Sequence, residues 1–349
     1  MLTKLKVDAN LATSVCEIEM SKPIAVAIPD KDPVEFYQAG YHKTQLISEL
    51  RDNFRDFGVL LDQAKIFASG VFGLLVLKNA VDVTDVTGAP QDMVDRTLPP
   101  AWHRIANAVT VLIESLELDL VSYLCENGGE PYVHLSPQKG DHQGADKSRD
   151  GMRGHTDGII FPPNVVERYH PHFPPGPDAV VLTGIRNPDA VKTNIALMSR
   201  IVRKLERPTI YTLMEKKFRF YPQSSFTVPA EFLDEEAHLD EQSVIEQSPN
   251  GFRIRFSNSS IQAMPGDAEA EKALDELKRA VADCYTGVSI EPGDVILVNN
   301  NTAIHGRSPV GMPGNENEKR WLLRTYAQIV RPAKYCLDKS KPFALCICS

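Results

Sequence analysis

Gly293-Asp-Val-Ile-Leu-Val-Asn-Asn-Asn-Thr-Ala-Ile-His305-Gly-Arg307 is the stretch from which the fold can be read. Its opening residues, 293 to 298, form a short β-branched apolar run behind Pro292-Gly293, as expected of a buried strand. His305 follows, and its natural counterpart lies 150 residues upstream in His155-Thr156-Asp157. On an extended segment alternate side chains share a face, so His155 and Asp157 point the same way and Thr156 points away. Two imidazoles and one carboxylate on facing elements can hold one face of an octahedral ferrous ion, leaving three positions open for substrate and dioxygen.

A chain with nine histidines also offers accidental pairs, and His238-Leu-Asp240 is a second one. It lies in Glu231-Phe-Leu-Asp-Glu-Glu-Ala-His-Leu-Asp240, an acidic stretch that reads as a solvated helix or loop with no apolar strand to fix two ligands. The first pair is preferred. Downstream of His305, Arg320-Trp-Leu-Leu-Arg324-Thr-Tyr would, as a strand, put Arg320, Leu322 and Arg324 on one face. Isolated, such a pair reads as a salt-bridged surface strand. Next to a metal motif it reads as a pair of buried forks for carboxylates.

His155-Thr-Asp157, Asn-Thr-Ala-Ile-His305-Gly-Arg307 and Arg320-Trp-Leu-Leu-Arg324 together resemble the clavaminate synthase-like branch of the Fe(II)/2-oxoglutarate dioxygenases, neighbours of the taurine dioxygenase group. Pro177-Asp-Ala-Val-Val-Leu-Thr-Gly-Ile-Arg186 and the following Lys192-Thr193-Asn-Ile-Ala fit the same pattern. The resemblance runs from about residue 72 to residue 330 and leaves the first 70 residues unmatched. It implies that His155, Asp157 and His305 bind Fe(II). It implies that Arg320 holds the distal carboxylate of 2-oxoglutarate, with Thr193 adding a hydroxyl, and that Arg324 meets a substrate carboxylate. The implied reaction is hydroxylation of an unactivated C–H bond in a free or carrier-bound amino acid, consuming O2 and releasing succinate and CO2.

Departures from the pattern shape the expectation. Asp157 stands where many relatives carry Glu, and a carboxylate there argues against a halogenase, which needs a small residue instead. Arg320 lies fifteen positions after His305, slightly more than in the family, and the loop from Met312 to Lys319 absorbs the excess easily. Basic-amino-acid hydroxylases of this branch often place aspartates after a strand like Phe252-Arg-Ile-Arg-Phe256. Here Ser257-Asn258-Ser259-Ser260 follows, which disfavours a basic substrate. Asn299 and Asn300 are candidates for fixing an imidazole tautomer or simply for forming a turn.

Phe161 to Pro177 holds six prolines together with His170 and His172, so it is neither helix nor central strand and reads as a stiff rim over the pocket. Further metal ligation by those two histidines is not favoured. His134 to Asp150 is polar and places Ser136, Gln138 and Ser148 as candidates for the substrate side.

The chain of 349 residues, 42% of them apolar, can bury one large core, and nothing in its composition forces a second domain. The expectation is a single catalytic domain, mainly β with flanking helices. Residues 1–70 form an N-terminal helical extension, 72–330 a double-stranded β-helix (jelly-roll, cupin-like) core with helical insertions, and 331–349 a tail. Helical periodicity marks about 43–61, 101–125, 194–206 and 266–285. A net charge of −8 without a basic stripe speaks against nucleic acid. The absence of a spanning apolar run or signal peptide points to a cytoplasmic enzyme without a membrane partner. Six scattered cysteines do not make a disulfide framework, and Cys346-Ile-Cys348 reads as tail rather than metal site. A zinc hydrolase would share the metal triad but leave Arg320, Thr193 and Arg324 unexplained, and a non-catalytic jelly-roll binding module is the third alternative.

Overall fold

The computed structural model describes residues 2–6, 15–20, 23, 28–38, 41–53, 57–95, 97–137, 151–164, 170–234, 237–310, 319–336 and 338–348. Its centre is a mostly antiparallel sheet in which Leu74–Lys78, Val295–Asn299, Ala179–Arg186 and Trp321–Gln328 lie side by side. Asp119–Tyr123 and Val133–Leu135 pair with successive parts of the last strand. A second sheet of four strands, in the order Thr286–Ser289, Lys192–Leu197, Ala303–Arg307 and Met152–His155, faces it. Two facing sheets of this kind form the jelly-roll expected from the sequence.

Both faces of the central sheet are covered, and strict alternation decides which side chain goes where. Leu74, Val76, Val180, Leu182, Ile296, Val298, Leu322 and Tyr326 pack between the sheets with Ile195, Leu197 and Ile304. Leu75, Leu77, Val181, Val295, Leu297, Trp321 and Leu323 point to the other face and meet Ile105, Val109 and Leu112 of helix Ala101–Ser115. Each fully buried aliphatic side chain contributes roughly 1.5–3 kcal/mol. A one-residue slip would drive Arg324 into the helix-covered core, so the pattern also fixes where the arginines face.

Several helices differ from their periodicity. Residues 101–125 are helical only to Ser115; Glu117 then adopts φ 62 and strand Asp119–Tyr123 begins. Of the apolar residues that continue the helical pattern, Leu116 caps the helix and Leu120 belongs instead to the buried strand, which a short apolar run cannot reveal. Similarly, 194–197 belong to strand Lys192–Leu197, and only Met198–Lys204 is helical. The 43–61 region contains two helices, Tyr41–Asn53 and Phe57–Ala68. Helix Ala268–Asp283 agrees with expectation and is capped by Asp267, whose carboxylate accepts from the Ala270 amide at 2.9 Å. Besides helices, the first 70 residues supply two strands, Leu2–Lys6 and Val15–Met20, the latter parallel to Leu74–Lys78. Among the described residues no helix is long and apolar enough to cross a membrane.

Candidate metal centre and its surroundings

His155 ends strand Met152–His155 and pairs in register with His305 on the neighbouring strand. The chain leaves the central sheet at Asn299, turns through 300–302, and enters the facing sheet at Ala303, which carries His305 inward. Gly306 permits this closeness, because a Cβ there would lie 2.6 Å from the Met152 carbonyl oxygen. Thr156 turns away into the body, its hydroxyl accepting from the Phe256 amide at 3.0 Å. Asp157 then returns to the side of His155, as the alternation predicts, although it sits in a turn rather than in the strand.

One ligand atom from each of His155, Asp157 and His305 lies within 4.8 Å of the others. His155 Nε2 is 3.4 Å from Asp157 Oδ1, and His305 Nε2 is 3.6 Å from Asp157 Oδ2. His155 Nδ1 lies 3.0 Å from the Arg153 carbonyl oxygen, so that nitrogen carries the proton and Nε2 is left as a lone-pair donor toward the cluster. Asp157 Oδ2 is buried without a hydrogen-bond partner, an arrangement that costs roughly 1–3 kcal/mol or more unless a cation takes its place. Burial works against the Asp157 charge, but the two imidazoles hold its carboxyl well below the ordinary range. Burial opposes charge on His155 as well, yet Asp157 raises its pKa; for His305, burial and the neighbouring His155 lower it. An anionic oxygen and two imidazole nitrogens converging in a buried spot are a donor set that suits Fe(II).

Asn299 and Asn300 do not touch either imidazole. Asn300 clamps the Asp157 backbone instead: its Oδ1 accepts from the Asp157 amide at 2.8 Å, and its Nδ2 donates to the carbonyls of Asp157 and Pro177. Asn299 ties Phe67 to the turn.

The two arginines occupy different surroundings. Arg320, 5% exposed, donates from Nη2 to Thr193 Oγ1 at 3.4 Å. Burial, and secondarily the nearby Arg307, lowers its pKa to about 10, as expected for a guanidinium without an anion beside it among the described residues. Arg307 pairs in register with Thr193, so two cations and a hydroxyl converge there. Arg324 lies over the Tyr326 ring and donates to Glu126 Oε1 at 2.8 Å; its Nη1 is 4.0 Å from Asp157 Oδ2. The Tyr326 hydroxyl also reaches Glu126 Oε1, at 3.3 Å. Burial raises the Glu126 pKa despite Arg324. Sequence reading missed Glu126, a single acid after the apolar strand Asp119–Tyr123, whose partner is nearly 200 residues away. It also passed over Arg307, although this residue stands in the His305 motif.

Ser257 is buried and forms an isolated bridge with His155, and the Asn258 amide donates to the Gly154 carbonyl at 3.1 Å. Ser136 is buried just past Val133–Leu135, beside the Arg320 end of its partner strand. Gln138 and Ser148 lie outside the described residues. His170 Nδ1 accepts from the amides of His172 and Phe173, and His172 Nδ1 meets the Cys348 carbonyl, so these histidines serve backbone connections.

The second His-x-Asp pair is not solvated as its composition suggests: His238 is 2% exposed. Asp234, His238 and Asp240 also bring ligand atoms within 4.8 Å of one another. However, Arg219 Nε lies 2.9 Å from Asp240 Oδ1, the same oxygen that His238 Nε2 approaches at 2.7 Å. A guanidinium already compensates the carboxylate there, and the group reads as an ion-pair network.

Residues 172–326 match the family of taurine catabolism dioxygenases TauD and TfdA. An enduracididine beta-hydroxylase of Streptomyces hygroscopicus is 25% identical over 266 residues, covering 68% of this chain and 74% of that protein. The non-heme iron oxygenase OrfP, solved with Fe, succinate and (3S)-hydroxy-L-Arg, superposes with a TM-score of 0.68 at 19% identity, covering 90% of each chain. It has also been solved with Fe and alpha-ketoglutaric acid. An asparagine oxygenase, solved with Fe(II), 2S,3S-3-hydroxyasparagine and succinate, superposes with a TM-score of 0.65 at 19% identity, covering 86% of this chain and 88% of that one. The structural likenesses establish the jelly-roll fold.

Proposed function

From the match of residues 172–326 to the TauD, TfdA family of dioxygenases, we infer that this chain is an Fe(II)- and 2-oxoglutarate-dependent oxygenase that hydroxylates a C–H bond of an amino acid. The observation that carries this reading is the buried convergence of His155, Asp157 and His305, with an unpartnered carboxylate oxygen, beside two differently partnered guanidinium groups. When bound, Fe(II) and 2-oxoglutarate supply the oxidising power for hydrogen removal, with succinate and CO2 as coproducts.

His155, Asp157 and His305 would hold the metal from one side. Arg320, Thr193 and Arg307 would take the distal carboxylate of 2-oxoglutarate, whose charge compensates the buried Arg320 guanidinium. Arg324 and Glu126 offer a guanidinium and a carboxylate in contact, complementary to the carboxylate and ammonium of an α-amino acid. Such a substrate would share the pair rather than break it, keeping both charges compensated. Its side chain would then approach Ser257 and Asn258, which present a hydroxyl and an amide. The relatives named above act on enduracididine or were solved with hydroxylated arginine or asparagine, and the uncharged segment here favours a neutral polar side chain over a basic one. We propose that the whole chain works as one catalytic unit, because the central sheet joins the helical side to the site side.

The test is an anaerobic titration of Fe(II)-loaded protein with 2-oxoglutarate, monitoring the weak visible charge-transfer band of chelated cosubstrate. The band should appear in the natural protein, vanish in His155→Ala and require far more cosubstrate in Arg320→Ala. Its absence from the natural protein would reject the reading. An amino-acid screen by succinate release then names the substrate.

A further inference from the structure

Residues Ala344–Leu345 run parallel to Asp119–Tyr123, and the segment continues through Cys346 and Cys348 across the Pro-rich loop. Two contacts fasten it there. The Cys348 amide donates to the His172 carbonyl at 2.8 Å, and His172 Nδ1 lies 2.9 Å from the Cys348 carbonyl oxygen. Cys346 is anchored separately, its amide donating to the Tyr335 carbonyl at 3.0 Å. The two sulfurs lie 3.7 Å apart, in van der Waals contact.

We propose that Cys346 and Cys348 are an oxidisable dithiol whose disulfide releases the loop around His172. A disulfide needs sulfurs about 2.05 Å apart and Cα atoms within about 6.8 Å. Residues i and i+2 of an extended segment are already about 6.6–6.8 Å apart, at the top of that range. Closing the bond therefore draws Cys348 toward the anchored Cys346 and moves the amide and carbonyl that form both contacts with His172. Cys348 is half-buried and Cys346 buried, so a small disulfide reaches Cys348 first. Cys125 is the competing neighbour, but burial, then Glu126, pushes its thiol up to about 12, which leaves it protonated and slow to react.

The released loop reaches the metal cluster by direct contacts. Phe173 packs against Phe161 and Phe232, and the Pro175 carbonyl accepts from the Tyr123 hydroxyl at 2.7 Å. The Pro177 carbonyl accepts from the same Asn300 amide that holds Asp157. The chemistry balances with glutathione disulfide as oxidant. The Cys348 thiolate attacks one of its sulfurs and expels one glutathione; Cys346 then attacks the Cys348 sulfur and expels the second. The two protein thiols lose two electrons and two protons, and both leave on the glutathione thiols.

The test equilibrates the full chain, without oxygen, in glutathione buffers of rising disulfide content, with peptide mass mapping and amide exchange as readouts. A Cys346–Cys348 link should form, and exchange at the Cys348 amide and in the 170–176 peptide should rise about tenfold or more, as expected for losing one backbone hydrogen bond and one side-chain contact. Cys125→Ser should behave like the natural chain, whereas Cys346→Ser should stop at the Cys348–glutathione adduct without the exchange change. A natural chain that stops at that adduct, links to Cys125 or Cys336, or forms the expected link with no rise in exchange overturns the proposal. These readouts need neither iron nor turnover, so the result is independent of the oxygenase reading.

Discussion

His155-Thr-Asp157 and His238-Leu-Asp240 share the same spacing, and each gathers a third ligating residue within 4.8 Å, yet they have opposite character. The first gains a second imidazole, His305, whose Nε2 lies 3.6 Å from Asp157 Oδ2; the second gains a guanidinium, Arg219, whose Nε lies 2.9 Å from Asp240 Oδ1. A metal requires uncompensated negative charge with lone pairs facing inward, and a buried cation supplies the compensation in its place. The element that packs against the motif decides between these outcomes.

The largest effect expected from this contrast is at the first cluster. Asp157→Ala should abolish Fe(II) binding, measured by metal content after anaerobic dialysis, and lower turnover at least about 10³-fold, equivalent to about 4 kcal/mol. His238→Ala should leave both iron content and turnover close to natural values. Loss of iron from the second variant would collapse the distinction.

The Arg324–Glu126 pair tests whether compensation is structural or functional. Glu126→Ala removes the 2.8 Å partner of a largely enclosed guanidinium, leaving it only the 4.0 Å approach to Asp157, and should destabilise the fold by about 3 kcal/mol in urea unfolding. Combining Glu126→Leu with Arg324→Met should restore most of that stability, because an apolar pair of similar volume substitutes for a buried ion pair at little cost. Substrate-dependent succinate release should remain lost in the double variant; its recovery would remove the pair from substrate binding.

A third buried imidazole separates the effect of burial from that of an ionic partner. His134 Nδ1 accepts from Trp321 Nε1 at 3.2 Å, and burial lowers its pKa to about 4. Folded protein therefore keeps it neutral, while unfolded chain takes up a proton near the ordinary value of 6.5. Its contribution is complete above pH 6.5 and is lost as the pH falls toward 4, about 3 kcal/mol in all. Denaturant melts over that range should steepen with acid in the natural chain and flatten in His134→Gln; equal slopes would reject the assignment.

The smallest change expected is at Asn300. Asn300→Ala removes three hydrogen bonds that hold the Asp157 and Pro177 backbone, not a ligand, and should weaken iron affinity or turnover about tenfold. An unchanged affinity and rate would show that strand pairing alone positions Asp157.

Much of the fold and the convergence of His155, Asp157 and His305 was legible because each rests on a local period. An unbroken apolar run such as 295–298 identifies a strand covered on both faces, and the alternation of side chains along an extended segment places His155 with Asp157 and Arg320 with Arg324. The helical ends at Ser115 and before Met198 were not legible, since short apolar runs look alike in helix and buried strand until they find a sheet to join. Glu126 was hidden because its meaning comes from Arg324 across the sheet, and Asn300 because a turn-forming residue and a backbone clamp have the same local appearance. By itself, then, the sequence determined which residues could ligate, and the alternation that orders them on a face. Tertiary structure decided which His-x-Asp motif meets a second histidine and which meets an arginine, because compensation of buried charge depends on partners distant in the chain.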